Sequence, residues 1–542
     1  MLPIKPSSVT GFINGIFVGK QPWQISATTA ISVIAGLWIW DMLTDSESIY
    51  EKGKRQVFRL AKKIPYVAEK IRVEGENVLR VFENEMAEAN KNLDYCLKLP
   101  QTRTDTVQIL NAVRDHLGTS KYNWKKGYVS GTVYYYDEKL NDLMAEVVRI
   151  SCYANPLHPD VFPGVCKMEA EIIKCAVDLF HGTEDGCGVM TSGGTESIIM
   201  ACKAYRDYAK ETRGVKRPEI VLPRTAHAAF DKAGSYLGMR LKHIDVDSHT
   251  MSVNISAMKR AITRNTVMLV GSSPNFPYGT IDNIEEIAKL GLKYNIPVHV
   301  DCCLGSFIAA FMPEAGFKVP PFDFGVAGVT SMSVDTHKYG FAPKGTSLVL
   351  YSKPEYRRCQ YYTSLSWPGG HYGSPSVSGS RSGAVIAECW ATMKYFGKEG
   401  YIEATREIVS VSRYIEEGLR QIEGIFVFGQ PFSTVIAVGS EQFHIYRLSQ
   451  ALSDKKWNLN MLQFPFGFHI CITQLHTAPG VADQFLNDVK EAVEEILKNP
   501  DVSLSGKGAV YGMSASVPDR SIVGDFTKFY IDALFYTPKN TN

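Results

Sequence analysis

The stretch Ser333-Val334-Asp335-Thr336-His337-Lys338-Tyr339-Gly340 follows an apolar, β-rich run, Phe324-Gly325-Val326-Ala327-Gly328-Val329-Thr330, and sets one lysine beside one histidine where a strand should end. Lysine is the side chain that condenses with carbonyls, and it does so once desolvation or a cationic neighbour frees its amine. Taken alone, a His-Lys pair is as easily an exposed loop. Three upstream stretches, each at a predicted strand end, change that reading.

The first, Thr191-Ser192-Gly193-Gly194-Thr195-Glu196-Ser197, leads into a helical run from Ile198 to Tyr205. Such a start leaves backbone N–H groups free to hold a phosphate. Neither a GxGxxG nor a Gly-Lys-Ser/Thr loop is present, so nucleotide-binding readings lose their main support. The second, Ile296-Pro297-Val298-His299-Val300-Asp301-Cys302-Cys303, is a short strand ending on a carboxylate. A buried acid there needs a cationic partner, and a protonated pyridine nitrogen is one. His299, Cys302 and Cys303 make a poor metal set, because adjacent cysteines point to opposite faces and no second ligand pair follows. The third, Pro223-Arg224-Thr225-Ala226-His227-Ala228-Ala229-Phe230, carries a strand-end histidine into a helix.

Together these are the parts that a pyridoxal 5'-phosphate site requires. Gly193, Gly194 and Thr195 take the phosphate, His227 stacks on the ring, Asp301 keeps the ring nitrogen protonated and Lys338 forms the Schiff base. Further motifs are Asn155-Pro156-Leu157-His158-Pro159-Asp160-Val161-Phe162-Pro163-Gly164, the run from Asp335 to Gly345, and Tyr511-Gly512-Met513. On all of these the chain resembles the group II pyridoxal phosphate-dependent decarboxylase superfamily of fold type I, and within it the sphingosine-1-phosphate lyase family. The likeness covers nearly the whole chain. It implies retro-aldol cleavage of phosphorylated sphingoid bases (sphingosine 1-phosphate, sphinganine 1-phosphate) to a long-chain aldehyde and ethanolamine phosphate, a sphinganine-1-phosphate aldolase activity. The resemblance also implies that Thr336 and His337 contact the cofactor and that Tyr134, Asn155 and His158 lie near the substrate. Lys344, six residues beyond Lys338, is the candidate cation for the substrate phosphate. Lys338, His227 and Tyr511 are the candidates for proton transfer, and the sequence does not choose among them. Fold-type I enzymes complete each site with a neighbouring subunit's loop, so Gly379 and Ser380 are read as a cross-subunit phosphate contact in a homodimer. The family commonly has alanine where this chain has Cys302, which is expected beneath or beside the ring as an oxidation-sensitive thiol.

Two other readings share some of these features. An amino acid decarboxylase would carry the same four motifs; a catalytically dead scaffold would have no reason to keep Lys338, Asp301 and His227 together. A metal hydrolase lacks both an HExxH helix and a paired ligand set.

Along the chain, 542 residues with 45% hydrophobic content can bury a large core in two or more units. A formal net charge of +2 offers no basic field for nucleic acid. The eleven cysteines form no compact disulfide framework, which suits a reducing compartment. Residues 1–45 are read as a lead and an anchor, because Gln21 to Trp40 carries no charge and has Trp23, Trp38 and Trp40 near its ends. Gln24, Ser26, Thr28 and Thr29 weaken its first turns. Lys52, Lys54, Arg55, Arg59, Lys62 and Lys63 follow it, which puts the bulk of the chain on the cytosolic side of a single-pass membrane protein. The family resemblance implies the endoplasmic reticulum.

Residues 46–150 are read as linker helices and an N-terminal segment. That span includes an amphipathic helix from Val67 to about Leu93 and a Gly/Tyr-rich loop from Gly127 to Tyr136. Residues 151–397 alternate helices with short β-branched runs, the pattern of an α/β domain with a mainly parallel sheet, which the family makes seven-stranded. Residues 398–542 are read as a smaller α+β C-terminal domain.

Overall fold

The computed structural model describes residues 17–43, 60–502 and 520–538, with positions 14, 15, 53 and 57 besides. The chain divides into two compact units, Lys98–Ser516 and Met1–Leu97 together with Val517–Asn542.

The larger unit is built on a seven-stranded sheet of β1 (Cys187–Thr191), β2 (Glu219–Pro223), β3 (Arg240–Ile244), β4 (Thr266–Ser272), β5 (Val298–Asp301), β6 (Val329–Val334) and β7 (Ser347–Tyr351), in the order β1-β7-β6-β5-β4-β2-β3. All neighbours run parallel except β7, which is antiparallel to both β1 and β6. The expected mainly parallel sheet is therefore present. Its strands read as unbroken apolar runs because both faces are covered. Alternation then divides them: Val221, Leu348 and Leu350 join one apolar cluster, while Ile220, Leu222, Val349 and Tyr351 join another. The helices Pro163–Leu179, Gly194–Arg213 and Ile284–Tyr294 form where the 3.6-residue periodicity places them.

Beyond the hairpin of β8 (Tyr362–Ser364) and β9 (Tyr372–Ser374), the long helix Gly383–Arg420 breaks at Gly397, whose φ is 55°. The sequence reading divides the chain at this position, and both sides of the break belong to the same compact unit. A four-stranded antiparallel sheet follows, β10 (Phe426–Val427), β11 (Val435–Gly439), β12 (Asn460–Leu462) and β13 (Gly467–Cys471), in the order β10-β11-β13-β12, with the helices Tyr446–Asp454 and Val481–Leu497. This is the expected α+β arrangement. The two sheets share a core, because Val300 and Met332 of the first belong to the same apolar cluster as Ile436 and Phe468 of the second.

The smaller unit pairs the helix Pro65–Ala89 with Arg520–Ala533. Gly75 lets the ring of Phe529 lie against the first helix, Phe82 and Tyr530 meet edge to face at 4.9 Å, and Lys62 pairs with Asp525 at 3.0 Å. Two boundaries read from the sequence are corrected by this packing. The last helix belongs with the N-terminal helices and not with a domain spanning 398–542, because its aromatic residues find their apolar partners there. The segment 46–150 divides near residue 97, its second part joining the larger unit. The uncharged stretch lies in the helix Pro22–Leu43, which runs on through Asp41, but among the described residues no helix is long and apolar enough to cross a membrane. Polar residues account for this at its start, where the Thr28 hydroxyl donates to the carbonyl of Gln24 at 2.8 Å.

The joint between the two sheets depends on Gly279, in the loop after β4. Its φ of +68° is left-handed, and a Cβ there would lie 2.2 Å from the carbonyl oxygen of Val435 in β11. Gly279→Ala is expected to lower the unfolding free energy by at least ~2 kcal/mol, from backbone strain plus steric overlap, as measured by chemical denaturation against wild type.

Candidate active site

The site is assembled at the carboxyl ends of the parallel strands. Register aligns Ser272 of β4 with Asp301 of β5, and Asp301 with Ser333 of β6. Asp301 Oδ1 accepts from the Ser333 hydroxyl and from the Cys303 N–H, both at 3.1 Å. Behind it the buried ring of His299 bridges Ser331 at 2.7 Å and Ser333 at 3.1 Å. Burial pulls the His299 pKa down to about 4, so the ring is neutral and Ser333 is fixed between it and the carboxylate. Both ring nitrogens are engaged by serines, which fits the rejection of His299 as a metal ligand.

Lys338 lies just past β6. Its Nζ is 2.7 Å from Asp335 Oδ2. Burial pulls this ammonium down, but the Asp335 carboxylate, with lesser contributions from Tyr134 and Cys303, turns the net shift upward. Burial pushes Asp335 up in turn, and the charges of Lys338 and His337 bring it below its ordinary value. The wall opposite comes from two distant parts of the chain. Tyr134 is buried edge-on against Tyr339 at 4.9 Å, and the ammonium of Lys344 stands 4.8 Å from the centre of the Tyr134 ring. Burial and then the Lys338 charge lower the Lys344 pKa. Tyr339, fully buried, donates to the carbonyl of Ile472, and its oxygen stands at the same 2.6 Å from the Thr434 hydroxyl, which is left to donate in return.

The phosphate cradle is the start of the helix Gly194–Arg213. Gly193 precedes it without a side-chain cap, which leaves the first N–H groups without a side-chain acceptor. Glu196 reaches back to the Ser192 N–H and hydroxyl, at 2.8 and 2.6 Å, and takes the N–H of Val377 at 3.1 Å. Gly194 cannot be larger: a Cβ would sit 2.7 Å from Cys303 Sγ and 2.9 Å from each Asp335 oxygen. His227 accepts the Ala229 N–H on Nδ1 and stands edge-on to Phe276 at 6.2 Å. Donor by donor the set suits pyridoxal 5'-phosphate: an amine for the aldehyde, a carboxylate for the ring nitrogen, an imidazole for the ring face and open helix N–H groups for the phosphate.

Other residues named from the sequence fall into place less directly. His337 is tied through Nδ1 to the carbonyl of Thr346. Thr336 is fully buried with its hydroxyl beside the Cys389 thiol, so it packs the motif from below. Asn155 accepts the N–H groups of Leu157 at 3.0 Å and Arg381 at 3.3 Å, and His158 is exposed on the same turn. That turn meets the loop carrying Gly379 and Ser380, where Arg381 forms a paired contact with Glu169 at 2.5 and 2.9 Å. Thr195 and Ser380 are exposed. Tyr511 lies outside the described residues.

One expectation is reversed. Cys302 is buried in the main apolar cluster, whereas Cys303 touches Gly194 and lies near both Asp301 and Asp335. Side chains two apart share a face, so the thiol that accompanies Asp301 into the cleft is Cys303. Burial raises its pKa well above that of a free cysteine, keeping it a neutral thiol. Sequence reasoning also left Asp335 and Cys471 without roles. The i,i+3 spacing of Asp335 from Lys338 was the available signal for one, and nothing local marks the other.

Gly194→Ala is expected to weaken cofactor binding at least about tenfold, because the cradle must move off Cys303 and Asp335. Titration of the cofactor-free protein with pyridoxal 5'-phosphate, followed by tryptophan fluorescence, measures this.

The profile of the pyridoxal-dependent decarboxylase conserved domain matches residues 91–437. The chain is 53% identical over 535 residues to sphingosine-1-phosphate lyase of Drosophila melanogaster, covering 99% of this chain and 98% of that protein. It is 45% identical over 527 residues to sphingosine-1-phosphate lyase 1 of Rattus norvegicus, covering 97% and 92%. A solved structure of sphingosine-1-phosphate lyase from Burkholderia pseudomallei superposes with a TM-score of 0.76 at 33% identity, covering 83% of this chain and 99% of that one. With these likenesses running nearly end to end, and with a cleft whose donors suit pyridoxal 5'-phosphate, the chain belongs to the sphingosine-1-phosphate lyase family of pyridoxal-dependent decarboxylase-type enzymes.

Proposed function

We propose that this protein cleaves phosphorylated sphingoid bases to a long-chain aldehyde and ethanolamine phosphate, with pyridoxal 5'-phosphate held at Lys338. The observation that carries this reading within its family is the second cation. Lys344 stands over the Tyr134 ring beside the Lys338 cleft, where a dianionic substrate phosphate can be met. Bound to Lys338, the cofactor supplies an electron sink for the charge left on the amine-bearing carbon when the carbon–carbon bond breaks. Asp301, fixed by Ser333 and the Cys303 N–H, presents a carboxylate to the ring nitrogen. His227 covers the ring face. Lys338, once displaced by the substrate amine, carries a proton on Nζ within the cleft, and His227 and Tyr511 are the other proton carriers.

A substrate with a long hydrocarbon tail partitions into membranes, and an anchor at residues 1–45 brings the enzyme to it. In this reading the chain is a single-pass protein of the endoplasmic reticulum membrane with its catalytic unit in the cytosol. It works as a homodimer in which Gly379 and Ser380 reach the neighbouring subunit's phosphate. Deletion of residues 1–45 is expected to release the protein from membranes that hold the full chain through an alkaline carbonate wash; equal retention overturns the anchor.

The test of activity is incubation of the purified chain with sphingosine 1-phosphate and analysis of products. Aldehyde and ethanolamine phosphate are expected from wild type. Lys338→Ala is expected to lose the Schiff-base absorption band and at least about a thousandfold in turnover. Lys344→Ala is expected to raise KM about tenfold or more, the scale of one charge-assisted contact, with a smaller effect on kcat. Carbon dioxide released from an amino acid, with no aldehyde from the lipid, would replace the lyase by a decarboxylase.

A further inference from the structure

Asp301 opposes the ring nitrogen, yet a second carboxylate shares the cleft and no step above uses it. Asp335 is 1% exposed and is the one carboxylate in contact with Lys338 among the described residues. Its Oδ2 is the 2.7 Å partner of Nζ. Oδ1 is buried without a hydrogen bond, the nearby Ser347 hydroxyl being turned to the carbonyl of Val334 at 3.2 Å. Both oxygens press against Gly194, so the carboxylate lies directly under the phosphate cradle. An acid so placed is stabilised by the helix N-terminus and by the lysine, and it has no route to water.

We propose that Asp335 is the positioning residue for Lys338, the seat that holds the ε-ammonium on the cleft floor beneath the phosphate cradle whenever the lysine is not covalently bound to the cofactor. This rests on the reading of Lys338 as the cofactor's anchor. The groups that face the lysine leave no other candidate for the role. Tyr134 and Cys303 are neutral and buried, and Cys471, which feels the Lys338 charge from β13, is a buried neutral thiol as well. His337 and Lys344 add positive charge or none, and Asp301 is occupied by Ser333 and the Cys303 N–H. Without a counterion a buried ammonium would shed its proton, since burial alone lowers its pKa.

The seat has a consequence for attachment of the cofactor. Nζ must first release one proton to solvent; the neutral amine then bonds to the aldehyde carbon and one water leaves. Asp335 stabilises the ammonium and so opposes that first step. The same pairing gives the lysine a fixed position after a substrate amine displaces it, close to the carbon it must meet again. Asp335 therefore sets the pH at which Lys338 attaches, and it does so without touching the substrate.

The test follows the Schiff-base band after pyridoxal 5'-phosphate is added to cofactor-free full-length protein between pH 6 and pH 10. In Asp335→Asn the midpoint of the rate–pH profile is expected to move at least ~1 unit toward acid, and attachment at neutral pH to become about tenfold faster or more. Asp335→Glu, which keeps the charge, is expected to move the midpoint less. An unchanged midpoint in Asp335→Asn overturns the proposal. Thermal unfolding of the cofactor-free Lys338→Ala, Asp335→Asn and double variants decides it independently. If the pair exists, Asp335→Asn restores stability to Lys338→Ala, because it removes a buried charge left without a partner; strictly additive losses overturn it. Absence of a Schiff-base band from wild type would sink the anchor reading of Lys338 instead, and the thermal cycle would still decide the pair.

Discussion

The structure depends on a row of residues at the carboxyl ends of three parallel strands. Ser272, Asp301 and Ser333 stand side by side because β4, β5 and β6 pair in that register. A slip of one residue would turn Asp301 into the apolar cluster that now holds Cys302, and would bring Cys302 to the cleft. Burial makes such an error costly, since an unpaired carboxylate among apolar side chains loses several kcal/mol of hydration, of order 2–7 even for a neutral polar group. The register is therefore enforced by the same low-polarity surroundings that give the cleft its chemistry. Ser333 on one side and the neutral His299 behind it supply hydrogen bonds without adding charge.

Much of this was legible from residue order alone, and the reasons are specific. A lysine after a β-rich run, a Gly-Gly turn before a helix and an acid closing a short strand are local signals, each tied to one strand end, so topology had only to gather them. What failed to show is long-range. Cys471 enters the site from β13, more than a hundred residues beyond Lys338, and no pattern in its own neighbourhood distinguishes it from a core cysteine. Cys303 was readable, since alternation from Asp301 assigns it to the cleft side, but the comparison with the family's usual alanine drew attention to Cys302. Asp335 stood in plain view within the decisive motif. Its importance comes from being dry, which sequence does not display.

Where the chain's ends go was the least legible of all. The helix Arg520–Ala533 is amphipathic in sequence, but periodicity gives a helix a face without naming what covers it. Phe529 and Tyr530 meet Gly75 and Phe82, some four hundred and fifty residues earlier in the chain. The small-residue contact at Gly75 explains why that pairing is close, and no local rule predicts it. The helix Pro22–Leu43 shows the opposite case, since lack of charge marked it clearly while its polar first turns keep its apolar character modest.

Tyr339 ties this together in a way that bears on access. Adjacent to Lys338 in the chain, it is bonded to Thr434 and Ile472 in the second sheet's neighbourhood, while Tyr401 of the long helix donates to Gly340 at 2.8 Å. A hinge between the two sheets would have to break these bonds, expose the shared apolar cluster and lift Val435 off Gly279. The cleft therefore has rigid walls, and the catalytic lysine is bolted to both. For a ligand with a hydrocarbon tail this means that parting the two sheets to admit it would cost all of these contacts at once.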